Sequence, residues 1–251
     1  MDFSQFGSAA LAIGALAFFA GGTVKGAIGL GLPLVAVPVL ASAMDPKVAV
    51  AMMTVPVLSS NIWLVFQGGR FSATLRRFWV LMLTLAVFTV FSAQLLVEIE
   101  AATASLLLGL AVIAFCVMQL FPINTQVSKR TERWLNPFVG AVTGLMGGIS
   151  NFFGPPLIGY LIALRLEKDA FVAAITLFFI IGGVPLYGSL AWHGVLTVKV
   201  LTVSAVAAVI VLIGVAFGGR LRRVVRPDTF QKLLLGVLFV IGLNLVRRGL
   251  L

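Results

Sequence analysis

The sequence predicts an all-α integral membrane protein made of two related halves, and three observations carry that expectation. The first is composition: 61% of the residues are hydrophobic, 10% are charged and the mean hydropathy is +1.14, whereas a soluble domain carries about a quarter charged residues. The second is a set of runs, 48–67, 78–97, 101–121, 171–192 and 196–217, apolar on all faces. As helix, each of about 20 residues crosses about 30 Å of hydrocarbon. A membrane β-barrel would instead alternate apolar and polar positions. The third is a glycine- and proline-punctuated motif that occurs twice. Gly22, Lys25, Gly26, Gly29 and Pro38 return as Gly140, Thr143, Gly144, Gly147 and Pro156, always 118 residues later (144 − 26; 156 − 38).

In chain order, the first half opens with a short pair, 8–24 and 33–43, and continues with three full spans ending at residue 121. A polar linker, 124–134, holds Lys129, Arg130 and Arg133. The second half repeats the pattern: a short pair, 138–149 and 152–164, then three spans, the last near 230–246. Ala51 and Thr54 match Ala173 and Thr176 at a new offset of 122 (176 − 54), so the second copy carries a small insertion near 164–167. The expected organisation is therefore a first transmembrane repeat (1–123), a cytoplasmic linker (124–134) and a second repeat (135–251), with about 8 to 10 membrane segments in all. Only Asp2 is charged before the first apolar run, unlike the positive start of a cleavable signal, so that run is expected to be retained. A single Cys116 gives neither a disulfide framework nor metal-ligand spacing.

Charge sets the expected orientation, because loops rich in Lys and Arg stay cytoplasmic. Arg70, Arg76 and Arg77 place the loop between the first two full spans inside; the next loop holds only Glu98 and Glu100 and reads as outside. In the second half the bias reverses. The loop equivalent to 70–77 holds His193 and Lys199, and the following one holds Arg220, Arg222, Arg223 and Arg226. The two repeats are thus expected to be inverted, each short pair supplying two crossings or a re-entrant hairpin. Arg247 and Arg248 would then lie outside, against the charge rule.

The motif is also where chemistry is expected. Gly26, Gly29 and Gly31 weaken a helix around Lys25, and Pro33 suits the first turn of a new one. Non-helical backbone is predicted over 29–32, and over 148–153, where Gly147, Gly148, Ser150 and Asn151 precede Pro155 and Pro156. Helix N-termini created there carry unpartnered amides and partial positive charge. Two of them, approached from opposite sides between the halves, are expected to face one small anion. The same glycines would also permit close helix packing. An ammonium at Lys25 is costly in hydrocarbon unless paired or hydrated. Asp45, Glu98, Glu100, Glu167 and Asp169 all fall at span ends, so the substrate anion is its expected partner, an interfacial lysine being the other reading. Thr143, its repeat equivalent, offers only a hydrogen bond. Of the intramembrane amides, Asn61, which follows Pro56, Ser59 and Ser60, and Asn151 are the better candidates. Gln67, Gln94, Gln119 and Asn244 read as interhelical hydrogen-bond partners.

The expected substrate-binding set is therefore Lys25, Gly26, Gly29, Gly31, Pro33, Asn61, Thr143, Gly147, Gly148, Ser150 and Asn151. One histidine, His193, with no acid beside it makes no triad, metal set or general acid–base pair, so neither an enzyme nor a cofactor is expected. The net charge of +10 is spread over short loops, where it sets topology rather than forming a face for nucleic acid. Partners reduce to a small anion and the lipid bilayer.

The stretch Gly22-Thr-Val-Lys25-Gly26-Ala-Ile-Gly29-Leu-Gly31-Leu-Pro33-Leu-Val-Ala-Val-Pro38-Val-Leu40 resembles the signature of the sulfite exporter TauE/SafE family, also called the toluenesulfonate uptake permease family. Gly140 to Pro156 resembles that family's weaker second copy, with Thr143, Ile149 and Asn151 where the first copy has Lys25, Gly31 and Pro33. This difference favours one asymmetric site over two equivalent ones. The resemblance implies transport of sulfite, sulfonates or other small sulfur-containing or organic anions across the prokaryotic inner membrane. The residues by themselves imply an anion transporter working by alternating access, with an anion channel or a non-transporting membrane scaffold or sensor as alternatives.

Overall fold

A computed structural model describes residues 8–28, 31–68, 71–120, 126–221 and 227–251. Gly29, Arg70, Arg222, Arg223 and Arg226, named above, lie outside the described residues. The described elements are eleven α-helices: α1 (Ser8–Ile28), α2 (Leu32–Ala41), α3 (Pro46–Ala51), α4 (Thr54–Gly68), α5 (Phe71–Glu98), α6 (Ala101–Leu120), α7 (Lys129–Ser150), α8 (Gly154–Ala163), α9 (Lys168–Trp192), α10 (Val198–Leu221) and α11 (Pro227–Leu250). Five carry stretches long and apolar enough to cross a membrane: Phe71–Glu98, Ala101–Gln119, Asp169–Trp192, Val198–Leu221 and Lys232–Leu250.

The run 48–67, expected as one span, is instead divided between α3 and α4 by a turn at Met52 and Met53. Pro56 is the reason. In a continuous helix its missing N–H would leave the carbonyl of Met52 without a partner. Ser204 of α10 occupies that gap: its Oγ donates to Met52 O at 2.8 Å and accepts from Val55 N at 3.0 Å. The expected linker also differs, because 129–134 form the opening of α7. Ser128 caps that helix by accepting from Thr131 N, a local signal stronger than the polarity of the segment.

The chain forms two compact units, and each draws on both halves of the sequence. One comprises the chain up to Pro56, Glu100–Cys116 and Leu196–Leu251; the other comprises Val57–Ile99 and Val117–Val195. In the first unit α1 packs lengthwise on α10. A Cβ on Gly22 would collide with the backbone of Val211, and one on Gly26 with that of Val215. From the facing helix, Gly214 and Gly218 lie equally close to the backbone of α1 at Phe19 and Thr23. In the second unit α7 packs on α5 in the same manner, Gly140 against Leu81 and Gly144 against Leu85. Small residues of this kind let helices approach to backbone contact.

These contacts make the duplication visible in three dimensions. Gly22 and Gly26 are the repeat equivalents of Gly140 and Gly144, and their contacts Val211 and Val215 lie 130 residues after Leu81 and Leu85 (211 − 81; 215 − 85). Both pairs run parallel, since later residues of one helix meet later residues of the other. Each motif helix therefore packs on a span that belongs to the other half of the sequence.

Of the two arginines near the C-terminus, Arg248 has a structural role. Arg248 of α11 donates through Nη1 to Ala41 O at 2.9 Å and Ser42 O at 2.5 Å, capping the end of α2, where carbonyls lack helical partners.

Candidate functional site

In the first unit Gly29 and Leu30 of the expected break lie outside the described residues, and Gly31 is non-helical as expected. Helix α1 ends at Ile28 and α2 begins at Leu32, so Leu32, expected in the break, is already helical. Gly31 between them has φ +102°, a left-handed conformation that suits glycine. Pro33 is buried in the first turn of α2, whose N-cap, Gly31, has no side chain to cap it. Lys25 lies half-buried in the last turn of α1, where the unpaired carbonyls of a helix end favour a cation by about 0.3–1 kcal/mol. Gly26 is a packing position against α10.

In the second unit the break is narrower than expected. Helix α7 continues through Gly148 and Ser150, and only Asn151, Phe152 and Phe153 are non-helical before α8. Gly148 stays helical because its face is packed on Thr89 and Ser92 of α5. Its glycine identity serves that approach, as does the bond from Ser92 Oγ to Gly144 O at 2.9 Å. Gly147 bears the ring of Phe153, which is also seated on Gly182 of α9 and meets Phe179 edge-on at 6.0 Å. Ser150 is fully buried; its hydroxyl donates to Met146 O at 2.6 Å and accepts from Phe152 N at 3.3 Å.

Asn151 ends α7 with φ 62°, a left-handed conformation that asparagine tolerates. It is fully buried, and its Nδ2 donates to the hydroxyl of Tyr187 on α9 at 2.9 Å. Its Oδ1 and the hydroxyl of Thr143, also fully buried, have no hydrogen-bond partner among the described residues. Thr143 and Gly147, four residues apart, share a face of α7, and Asn151 follows as its C-cap. Asn61 on α4 is buried, with its Nδ2 bonded to Val57 O one turn back at 2.8 Å. The residues of the first motif thus belong to one compact unit, and Asn61 with those of the second motif to the other.

Sequence reasoning passed over Tyr187 and Glu132. The chain has two tyrosines, and each pairs with an asparagine of α7 or its C-cap: Tyr187 with Asn151, and Tyr160, whose hydroxyl donates to Asn136 Oδ1 at 2.6 Å. A phenol inside an apolar run requires a partner, and that requirement was the available signal. Glu132 reads as a linker residue, yet it is buried and held by Arg77.

A set of apolar helices, with an interruption within each copy of a duplicated motif and buried polar groups beside one of them, defines a polytopic helical membrane protein. The chain belongs to the sulfite exporter TauE/SafE family, whose family model matches residues 13–245. Comparison with curated proteins and with solved structures returns no match. Membership makes it a member of a transporter family for anionic sulfur compounds, with a small-molecule substrate and a lipid environment.

Proposed function

We propose that the protein carries sulfite, an organosulfonate or a related small sulfur-containing or organic anion across the inner membrane by alternating access, without chemical conversion of the substrate. The observation that carries this reading is a helix interruption within each copy of the motif, at Gly31 in the first and at 151–153, a few motif positions further on, in the second, where buried polar side chains accompany it. Interrupted helices in corresponding places of two halves are how many carriers build a substrate site. In this reading the repeats 1–123 and 135–251 are inverted about the linker 124–134. Lys25, Gly31 and Pro33 are, in this reading, substrate-binding residues of the first copy, and Thr143, Ser150 and Asn151 those of the second. Asn61 contributes from α4, while Gly26, Gly29, Gly147 and Gly148 shape the backbone around these residues.

The test is flux into liposomes that contain the purified protein, with sulfite, methanesulfonate, thiosulfate and acetate compared. A carrier accelerates uptake of labelled substrate when unlabelled substrate fills the lumen. Ohmic current without such exchange would replace the carrier by a channel. Absence of both flux and anion-dependent thermal shift would leave a scaffold or sensor.

A further inference from the structure

We propose that Asn151 and Tyr187 form an uncharged donor subsite for the oxyanion group of the substrate, with Tyr187 acting as the positioning residue that orients the amide. The proposal rests on the anion-transport reading above and adds to it a residue and a recognition chemistry. Asn151 is 0% exposed and Tyr187 3%. Their contact, Asn151 Nδ2 to Tyr187 Oη at 2.9 Å, is the hydroxyl's one hydrogen bond among the described residues. In that orientation Oδ1 is unpartnered, and the phenol proton and the second amide N–H have no use either. Three capacities go unmet in a buried place, where unmet polar groups are unfavourable.

Turning the amide by half a rotation keeps the contact and changes the balance. The two ends of an asparagine amide are nearly the same shape, and its orientation follows the hydrogen bonds on offer. Once turned, the phenol donates to Oδ1, and the unmet groups reduce to the two N–H bonds, both at one end of the side chain. An oxyanion, rich in lone pairs and without a proton to donate, accepts directly from this end. A cation or hydroxyl donor would match only the first orientation and would leave the phenol proton unused.

The adjoining helix explains why a side chain is needed. Phe153 is the N-cap of α8, and Gly154, Pro155 and Pro156 fill its first three positions. The two prolines remove two of the amides that an anion at a helix N-terminus would use. Asn151 stands two residues before that cap in sequence and carries side-chain N–H donors of its own. The group recognised is a compact oxyanion such as sulfite or the sulfonate of an organic molecule.

Binding of sulfite and of methanesulfonate to the purified full-length protein, measured by titration calorimetry, tests this. Asn151→Asp keeps the shape and still accepts from Tyr187, but offers no N–H and adds a negative charge, so affinity should fall by at least about a hundredfold. Tyr187→Phe is nearly isosteric and removes only the anchor; affinity should fall by about tenfold, and the preference for methanesulfonate over acetate should shrink. A merely structural tyrosine would change thermal stability and leave that preference alone. Wild-type affinity and preference in Tyr187→Phe overturn the proposal even if Asn151→Asp fails to fold, as does tight anion binding by Asn151→Asp. If the wild-type protein binds neither anion, the transport reading falls and the subsite falls with it.

Discussion

Arg77 of α5 grips Glu132 of α7 through both carboxylate oxygens, Nε to Oε1 at 2.7 Å and Nη2 to Oε2 at 2.9 Å. The two side chains are unequally placed, the arginine 42% exposed and the glutamate 9%. The guanidinium also lies over the ring of Phe78, 5.1 Å from its centre, where α5 departs from helical geometry (φ −110°, ψ 16°). One fork thus fastens the kinked start of α5 to the opening turns of α7, below the glycine contacts that join the same two helices.

The unequal burial predicts unequal consequences. Arg77→Ala leaves a buried carboxylate without its partner, whereas Glu132→Ala leaves an arginine that can turn to water. A fully buried pair broken on one side costs about 3–5 kcal/mol; exposure of the arginine reduces this to about 1–2 kcal/mol for Arg77→Ala and below about 1 kcal/mol for Glu132→Ala. Thermal unfolding in detergent should rank wild type above Glu132→Ala and Glu132→Ala above Arg77→Ala. The reverse order would mean that the arginine left unpaired costs more than the buried carboxylate left unpaired.

A second expectation concerns the glycines that the motif shares between packing and function. Gly26→Ala and Gly144→Ala each put a methyl group into the backbone of the facing helix, at Val215 and Leu85. Overpacking of this kind costs about 1–3 kcal/mol, so both variants should melt lower and express less. Gly188→Ala and Gly236→Ala meet nothing within 4 Å and should behave as wild type. Equal melting of all four would show that α1 and α10, and α5 and α7, separate with little resistance.

Much of this architecture was legible in the sequence, and the failures share a cause. Long apolar runs located α5, α6, α9, α10 and α11, because length and hydropathy are local properties. The motif located the interruption at Gly31 and, to within a few residues, that at 151–153, because glycine and proline act on their own backbone. The turn at Met52 and Met53 was missed although Pro56 was in view, since its repair depends on Ser204, far away in sequence. Gly148 was expected in the break and is helical because α5 lies against it. Tyr187 with Asn151 and Arg77 with Glu132 are likewise pairings through space. In the candidate site, residue types were readable, but partners required the fold.

The inverted arrangement of the repeats makes a prediction about accessibility. Single cysteines at Ser72 and Gly194, both exposed, in a Cys116→Ala background, should react with an impermeant thiol reagent from opposite sides of the membrane. The opposite charge bias of the two regions motivates this. Labelling of both from one side would remove inversion from the proposed mechanism and leave only the duplication.

The last prediction separates two roles for Lys25, which stands both in the motif and at the carbonyl end of α1. As the fixed positive charge of the site, it makes charge-assisted hydrogen bonds of about 1.5–3 kcal/mol to the anion, so Lys25→Met should weaken substrate binding by about ten- to a hundredfold. Lys25→Arg should retain part of the affinity, because the charge persists while the planar guanidinium alters the geometry. As a helix-end cation it contributes only about 0.3–1 kcal/mol to stability, and either variant should then melt close to wild type. Titration of sulfite against the three proteins, alongside their melting curves, distinguishes the roles. Reduced affinity with unchanged melting assigns the lysine to the anion. Unchanged affinity in well-folded Lys25→Met would assign it to the end of α1 and leave recognition to the breaks and their side chains.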